Sequence, residues 1–161
     1  MESSRKDFKV KSGSGPRHLI FSKNGGYLYL VNELSGTAIA YKYNNGDIEQ
    51  LQELCIGMER QEGGGGMALS ADEKYLYVSM REGNDGISTF KIQNDGTLSH
   101  FAYNNVSEHP RDITLSSDGR YLLAAAMKEN KIDIMKILDD GKLANTEIYI
   151  HLDKPAYVGF I

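Results

Sequence analysis

The sequence predicts an all-β fold, an arc of β-propeller blades, and three observations carry that prediction. First, Gly15-Pro16-Arg17-His18-Leu19-Ile20-Phe21-Ser22 returns as His109-Pro110-Arg111-Asp112-Ile113-Thr114-Leu115-Ser116, with a degenerate copy, Gly64-Gly65-Gly66-Met67-Ala68-Leu69-Ser70, between them. Second, the equivalent residues Phe21, Leu69, Leu115 and Phe160 are spaced 48, 46 and 45 residues apart, inside the period of about 40 to 50 residues that marks multi-stranded blades. Third, each copy runs through a polar turn into an apolar, aromatic strand: Tyr27-Leu28-Tyr29, Tyr75-Leu76-Tyr77 and Tyr121-Leu122-Leu123.

Within a repeat the elements follow in order. An inner strand begins at the Pro-Arg position, and the Tyr-Leu run supplies the second strand. The third is rich in β-branched and aromatic residues, as in Thr37-Ala38-Ile39-Ala40-Tyr41-Lys42-Tyr43. The fourth follows a glycine turn at Asn44-Asn45-Gly46-Asp47, Asn94-Asp95-Gly96 or Asp139-Asp140-Gly141, where glycine supplies the positive φ of a tight hairpin. Residues 48–54 and 143–150 have helix-compatible compositions, but their place after a hairpin turn assigns them to strands, and no helix is expected. The repeats span 15–62, 63–108 and 109–152 of a single partial domain covering 1–161, and residues 153–161 begin a fourth copy as a lone inner strand.

Three blades and a strand do not close a ring, since propellers use four to eight. An open arc leaves sheet faces and edges uncovered. The chain is therefore expected to be part of a larger protein whose further blades lie upstream, or to form a homo-oligomer through its open blade ends.

Composition narrows the partners. A net charge of −4 with no basic stripe argues against nucleic acid. No apolar run approaches the roughly 20 residues of a membrane span, and residues 1–7 lack the apolar core of a signal peptide. The one cysteine, Cys55, has no partner for an internal disulfide, which fits a reducing, cytoplasmic compartment.

Superposing the repeats also locates chemistry. Glu33 falls on Arg81 and Met127, at the end of the second strand; Arg17 falls on Gly65 and Arg111, at the start of the inner strand. Arg17, Arg111 and Arg81 would then converge on one mouth of the central channel with Glu33 among them, a set of guanidinium forks suited to a carboxylate or phosphate. The same pattern also fits an architectural role, with Pro-Arg starting a strand and Arg17 paired to Glu33. His109 stands at the rim just before Pro110-Arg111.

The elements Gly15-Pro16-Arg17-His18, Tyr29-Leu30-Val31-Asn32-Glu33-Leu34, Tyr77-Val78-Ser79-Met80-Arg81-Glu82 and Pro110-Arg111-Asp112 resemble the C-terminal half of the lactonase family of seven-bladed propellers. That family includes bacterial 6-phosphogluconolactonase and the fungal 3-carboxy-cis,cis-muconate lactonizing enzyme, or carboxymuconate cyclase. The resemblance implies a central cleft for a small anionic lactone, with no metal and no cofactor. It implies Arg17 and Glu33 as catalytic residues and Arg81 as a second arginine; Arg111, His18 and His109 complete the candidate substrate-binding set. The intact protein would hydrolyse 6-phosphogluconolactone or cyclise a carboxymuconate. Two departures stand out: Met80 precedes Arg81 where the family pattern has Asn, and the family's catalytic histidine belongs to an upstream blade this chain does not contain. A noncatalytic binding propeller and an inactive fragment are the alternatives.

Other constellations carry less. Gly63-Gly64-Gly65-Gly66 is followed by neither Lys-Ser/Thr nor a helix, so a flexible approach to the second blade is expected rather than a phosphate loop. His18, His100, His109 and His151 lack metal-ligand spacing.

Overall fold

The computed structural model describes residues 8–57 and 62–160. They form three antiparallel four-stranded sheets, each built from consecutive strands in sequence order. Blade 1 contains β1 (Pro16–Phe21), β2 (Tyr27–Asn32), β3 (Thr37–Asn44) and β4 (Asp47–Cys55). Blade 2 contains β5 (Gly64–Leu69), β6 (Tyr75–Met80), β7 (Gly86–Ile92) and β8 (Leu98–Asn105). Blade 3 contains β9 (Pro110–Leu115), β10 (Tyr121–Ala126), β11 (Lys131–Ile137) and β12 (Leu143–His151). The segments with helix-compatible composition are the outer strands β4 and β12. The one helical turn among the described residues is a 3-10 turn at Met127–Glu129.

Stacking explains why the second strands are apolar on consecutive residues rather than alternating. Tyr29 and Val31 pack with Leu76, Val78 and Phe90 between blades 1 and 2, while Leu28 and Leu30 join Ile39 and Tyr41 on the opposite face of blade 1. Both faces of the sheet are covered, so both sets of side chains are apolar. Between blades 2 and 3, Tyr77 and Ile87 meet Leu122 and Met135. The tyrosine hydroxyls complete the stacking: Tyr29 donates to the Gly96 carbonyl at 3.2 Å and Tyr77 to the Gly141 carbonyl at 3.0 Å, each in the hairpin of the following blade. Burial pushes the Tyr29 phenol up to about 12.

The turn from first to second strand is built alike in each blade. The amides of Tyr27, Tyr75 and Tyr121 each donate at 3.0 Å to the hydroxyl of Ser22, Ser70 and Ser116, respectively. Ser70 and Ser116 in turn donate to Asp72 and Asp118. Hydrogen bonds from the Ser116 hydroxyl and the Arg120 amide hold the Asp118 carboxyl down to about 2. Burial raises Asp72, but the Ser70 hydroxyl and Lys74 outweigh it and the net shift is downward. A carboxylate depressed in the folded state contributes stability above its unfolded value, near 3.9, and loses it as pH falls through the folded value. The melting temperature is thus expected to fall between about pH 4 and pH 2 through these turns. Asp118→Asn should flatten part of that fall, and an unchanged acid profile in the variant would show that the turns do not titrate this way.

Two expectations are corrected. The glycine run is no flexible approach: Gly64, Gly65 and Gly66 lie buried in β5. A Cβ on Gly65 would sit 2.3 Å from Ser79 Oγ, and one on Gly66 would sit 2.6 Å from Asp112 Oδ1. The inner strands crowd together at the centre of the arc, and β5 fits between its neighbours because it carries no side chains there. The final inner strand is also absent. Residues 155–160 form no ladder, because no second strand stands beside them to supply hydrogen bonds. They lie against blade 3 instead, with the Val158 amide donating to Asp112 Oδ2 at 3.1 Å; Ile161 lies outside the described residues.

Candidate active site at the channel mouth

The site is assembled by a backbone unit that each blade repeats. A residue with left-handed backbone precedes the inner strand: Gly15 at φ 64°, Gly63 at φ 110° and His109 at φ 63°. Its carbonyl accepts the amide of the residue closing the second strand, Glu33 at 2.7 Å, Arg81 at 2.9 Å and Met127 at 3.1 Å, respectively. Gly63 also donates its amide to the Glu33 carbonyl at 2.8 Å. One glycine therefore holds the backbones of both Glu33 and Arg81 and fixes their side chains relative to each other across a blade boundary.

Irregular pairing aims the inner-strand arginines. Along β1, Pro16 pairs with Asn32 and His18 with Val31, leaving Arg17 as the extra residue of a bulge. The ladder of β9 is interrupted likewise between Pro110 and Ile113, around Arg111. Bulges re-aim side chains and recur beside active sites.

These supports bring Arg17, Glu33 and Arg81 together. Arg81 Nη2 donates to Glu33 Oε1, and Arg17 Nε stands 3.5 Å from Glu33 Oε2. The carboxylate is clamped between guanidiniums of two blades and stays one-third exposed, whereas Arg81 is buried. Several donors remain unused: Arg17 Nη1, Arg81 Nε and Nη1, and Arg111 Nε are buried with no acceptor among the described residues. Unpaired buried guanidinium N–H groups are costly, and an anionic ligand would satisfy them.

The electrostatics agree. Burial lowers the Arg17 guanidinium, as do Arg81 and Arg111, against the opposing pull of Glu33 and Asp112. His18 is lowered by burial and then by Arg17; His109 is lowered by burial and then by Arg81. Both shifts favour the uncharged imidazole. The field of the mouth is therefore set by three guanidiniums facing the carboxylates Glu33 and Asp112.

His18 and Arg111 share the field of this group, and His109 is buried where the Arg81 charge acts on it. Buried Asp112 and the bridging Gly63 are the members that sequence reasoning missed. A comparison of repeats could have flagged the latter, since Gly63 aligns with Gly15. His100 is elsewhere, with Nε2 3.1 Å from the Ile56 carbonyl and its ring against Phe90. Among the described residues no three His, Cys, Asp or Glu side chains gather as metal ligands. A concavity of about 450 Å³ at the outer rim of blade 3 includes Lys131 and Asp133 in its lining. Within it Lys131 pairs with Glu129 at 2.9 Å, and Ser107 donates to Asp133.

A family model described as "Lactonase, 7-bladed beta-propeller" matches residues 1–160. Over 141 residues the chain is 38% identical to a 6-phosphogluconolactonase of Formosa agariphila, covering 84% of this chain and 40% of that protein. It superposes on a putative 6-phosphogluconolactonase from Bacteroides fragilis with a TM-score of 0.89 at 40% identity, covering 92% of this chain and 42% of the other. A periplasmic gluconolactonase of Pseudomonas aeruginosa superposes with a TM-score of 0.87 at 29% identity, covering 93% and 43%. The chain spans about two fifths of the length of these relatives.

Proposed function

We propose, from the premise that this chain belongs to the lactonase family of seven-bladed β-propellers, that its channel mouth binds an anionic sugar lactone and supports its hydrolysis. The proposed substrate is 6-phosphogluconolactone, and the activity is that of a ring in which further blades close the channel. The observation that carries this reading is the Arg17–Glu33–Arg81 clamp with buried guanidinium donors left over beside Arg111.

The chemistry needs a base, an oxyanion site and an anchor. Glu33 takes a proton from water as the water oxygen bonds to the lactone carbonyl carbon. Arg17 and Arg81 donate to the oxygen that gains negative charge. As the tetrahedral species collapses, the ring C–O bond breaks and the departing alkoxide is protonated, giving the open-chain hydroxy acid. Arg111 offers a cation to the remote anionic group. Carboxymuconate cyclisation gains no support, since the relatives named above carry gluconolactonase names.

The test is acid release from 6-phosphogluconolactone and from unphosphorylated gluconolactone, followed in a protein that includes this chain in a closed ring. The phosphorylated lactone should turn over at least about tenfold faster, and Arg81→Met should cost on the order of 100-fold. Equal rates on both lactones would remove the requirement for an anion.

A further inference from the structure

The outer strand of every blade carries a bulge at the same point of its ladder. In blades 1 and 2 the bulge holds one extra residue: Leu51 between the pairs Ala40–Gln52 and Tyr41–Gln50, and Phe101 between Thr89–Ala102 and Phe90–His100. In blade 3 it holds two. Ile134 pairs with Ile148 and Met135 with Asn145, which leaves Thr146 and Glu147 outside the ladder. The enlarged bulge is fixed by its own side chains: the Thr146 hydroxyl donates to the Ile134 carbonyl and accepts the Ile148 amide, and Asn145 Oδ1 accepts the Glu147 amide at 2.9 Å. Glu147 thereby adopts left-handed backbone at φ 59°, a costly conformation for a side chain and one that gathers at ligand sites. The concavity of about 450 Å³ opens here, between the bulge and the end of β8. Bulges re-aim side chains next to sites, and this volume falls within the roughly 300 to 1,000 Å³ of small-molecule pockets.

The charges of the lining select among ligands. Glu129, Asp133 and Glu147 repel an anion. A cation finds its place already filled, because Lys131 Nζ stands 2.9 Å from Glu129, 3.9 Å from Asp133 and 5.3 Å from the centre of the Tyr149 ring. The groups left to recognise a ligand are the Asn105 amide, the N–H₂ of Asn145, the Glu147 carboxylate and the half-exposed ring of Tyr149. The edge of His151, with ring centres 5.0 Å apart, braces that ring. Planar donors and acceptors suit neighbouring hydroxyls, and an aromatic face suits the C–H surface of a sugar ring. We propose that the blade 3 bulge builds a second binding site, which takes a neutral pyranose with its ring against Tyr149 and its hydroxyls on Asn105, Asn145 and Glu147. The site belongs to the outer strands of its blade, whereas the channel mouth is built at the inner ones, and it stands independently of the anionic-lactone reading.

The test titrates methyl β-glucopyranoside, methyl β-galactopyranoside and methyl α-mannopyranoside into the isotope-labelled chain and follows the side-chain amide resonances of Asn105 and Asn145 by NMR. At least one sugar should move both resonances and saturate below about 20 mM, with the Arg17, Arg81 and Arg111 side chains still. The anion 6-phosphogluconate should leave the two amides unmoved. Tyr149→Ala should weaken binding at least about tenfold, and Tyr149→Phe, which keeps the ring, should stay within about threefold of the parent. Glu147→Gly suits the left-handed backbone and should lose at least about threefold in affinity with the fold intact. Absence of a saturable shift with every one of these sugars overturns the proposal. So does a Tyr149→Ala chain that binds as well as the parent, or an amide response to 6-phosphogluconate equal to that for the sugar.

Discussion

Gly63→Ala is expected to be the most damaging single-methyl change in the chain. The new Cβ would stand 1.8 Å from the Arg81 carbonyl oxygen, and the backbone φ of 110° is one that side chains rarely adopt. The clash is with backbone, so a rotamer change cannot relieve it. The expected loss is about 3 kcal/mol or more, a drop in melting temperature of roughly 6 to 12 °C for a chain of this size. Gly25→Ala is the internal control, because its φ of 68° is also left-handed but nothing lies within 4 Å of the added atom. That variant should lose only about 1 kcal/mol. Similar melting temperatures for the two alanine variants would show that the packing at Gly63 is looser than described. Because Gly63 bridges Glu33 and Arg81 through its own amide and carbonyl, any Gly63→Ala protein that folds should also bind ligand poorly.

Glu33→Gln should leave the fold intact and remove turnover. The carboxamide has nearly the shape of the carboxylate, and the backbone bonds of Glu33 to Gly15 and Gly63 do not involve the side chain. It cannot take up a proton from water, however, and it turns an N–H₂ group toward the donors of Arg17 or Arg81. A loss of 10² to 10⁴-fold in kcat in the closed ring is expected from removing a general base, with a melting temperature within a few degrees of the parent. Retention of activity within threefold would exclude the base role and leave Glu33 as a structural counter-ion of the two arginines.

Much of the fold could be read from the repeat itself. Strand order followed from the recurring Pro-Arg start, the Tyr-Leu run and the glycine hairpin, and two-sided burial accounts for the continuous apolar runs. The meeting of Arg17, Glu33 and Arg81 was legible for the same reason: superposed repeats place equivalent residues on one rim. What escaped was set by contacts between blades. The glycines of β5 look like a flexible linker until Ser79, Pro110 and Asp112 are seen against them. Residues 155–160 have a strand-like sequence but no neighbour to pair with. The left-handed backbone of His109 was in principle visible, because Gly15 and Gly63 align with it, but a histidine in place of glycine reads as a lost constraint until its φ is known.

The most direct test of the central claim is a titration of 6-phosphogluconate into the isotope-labelled chain, following the arginine side-chain N–H resonances by NMR. Arg17, Arg81 and Arg111 should shift together and saturate, unphosphorylated gluconate should move them at least about tenfold more weakly, and the resonances of Lys131 and Asp133 at the outer rim should stay still. No shift at the three arginines, or an equal response to both sugars, would contradict an anionic-lactone site at the channel mouth.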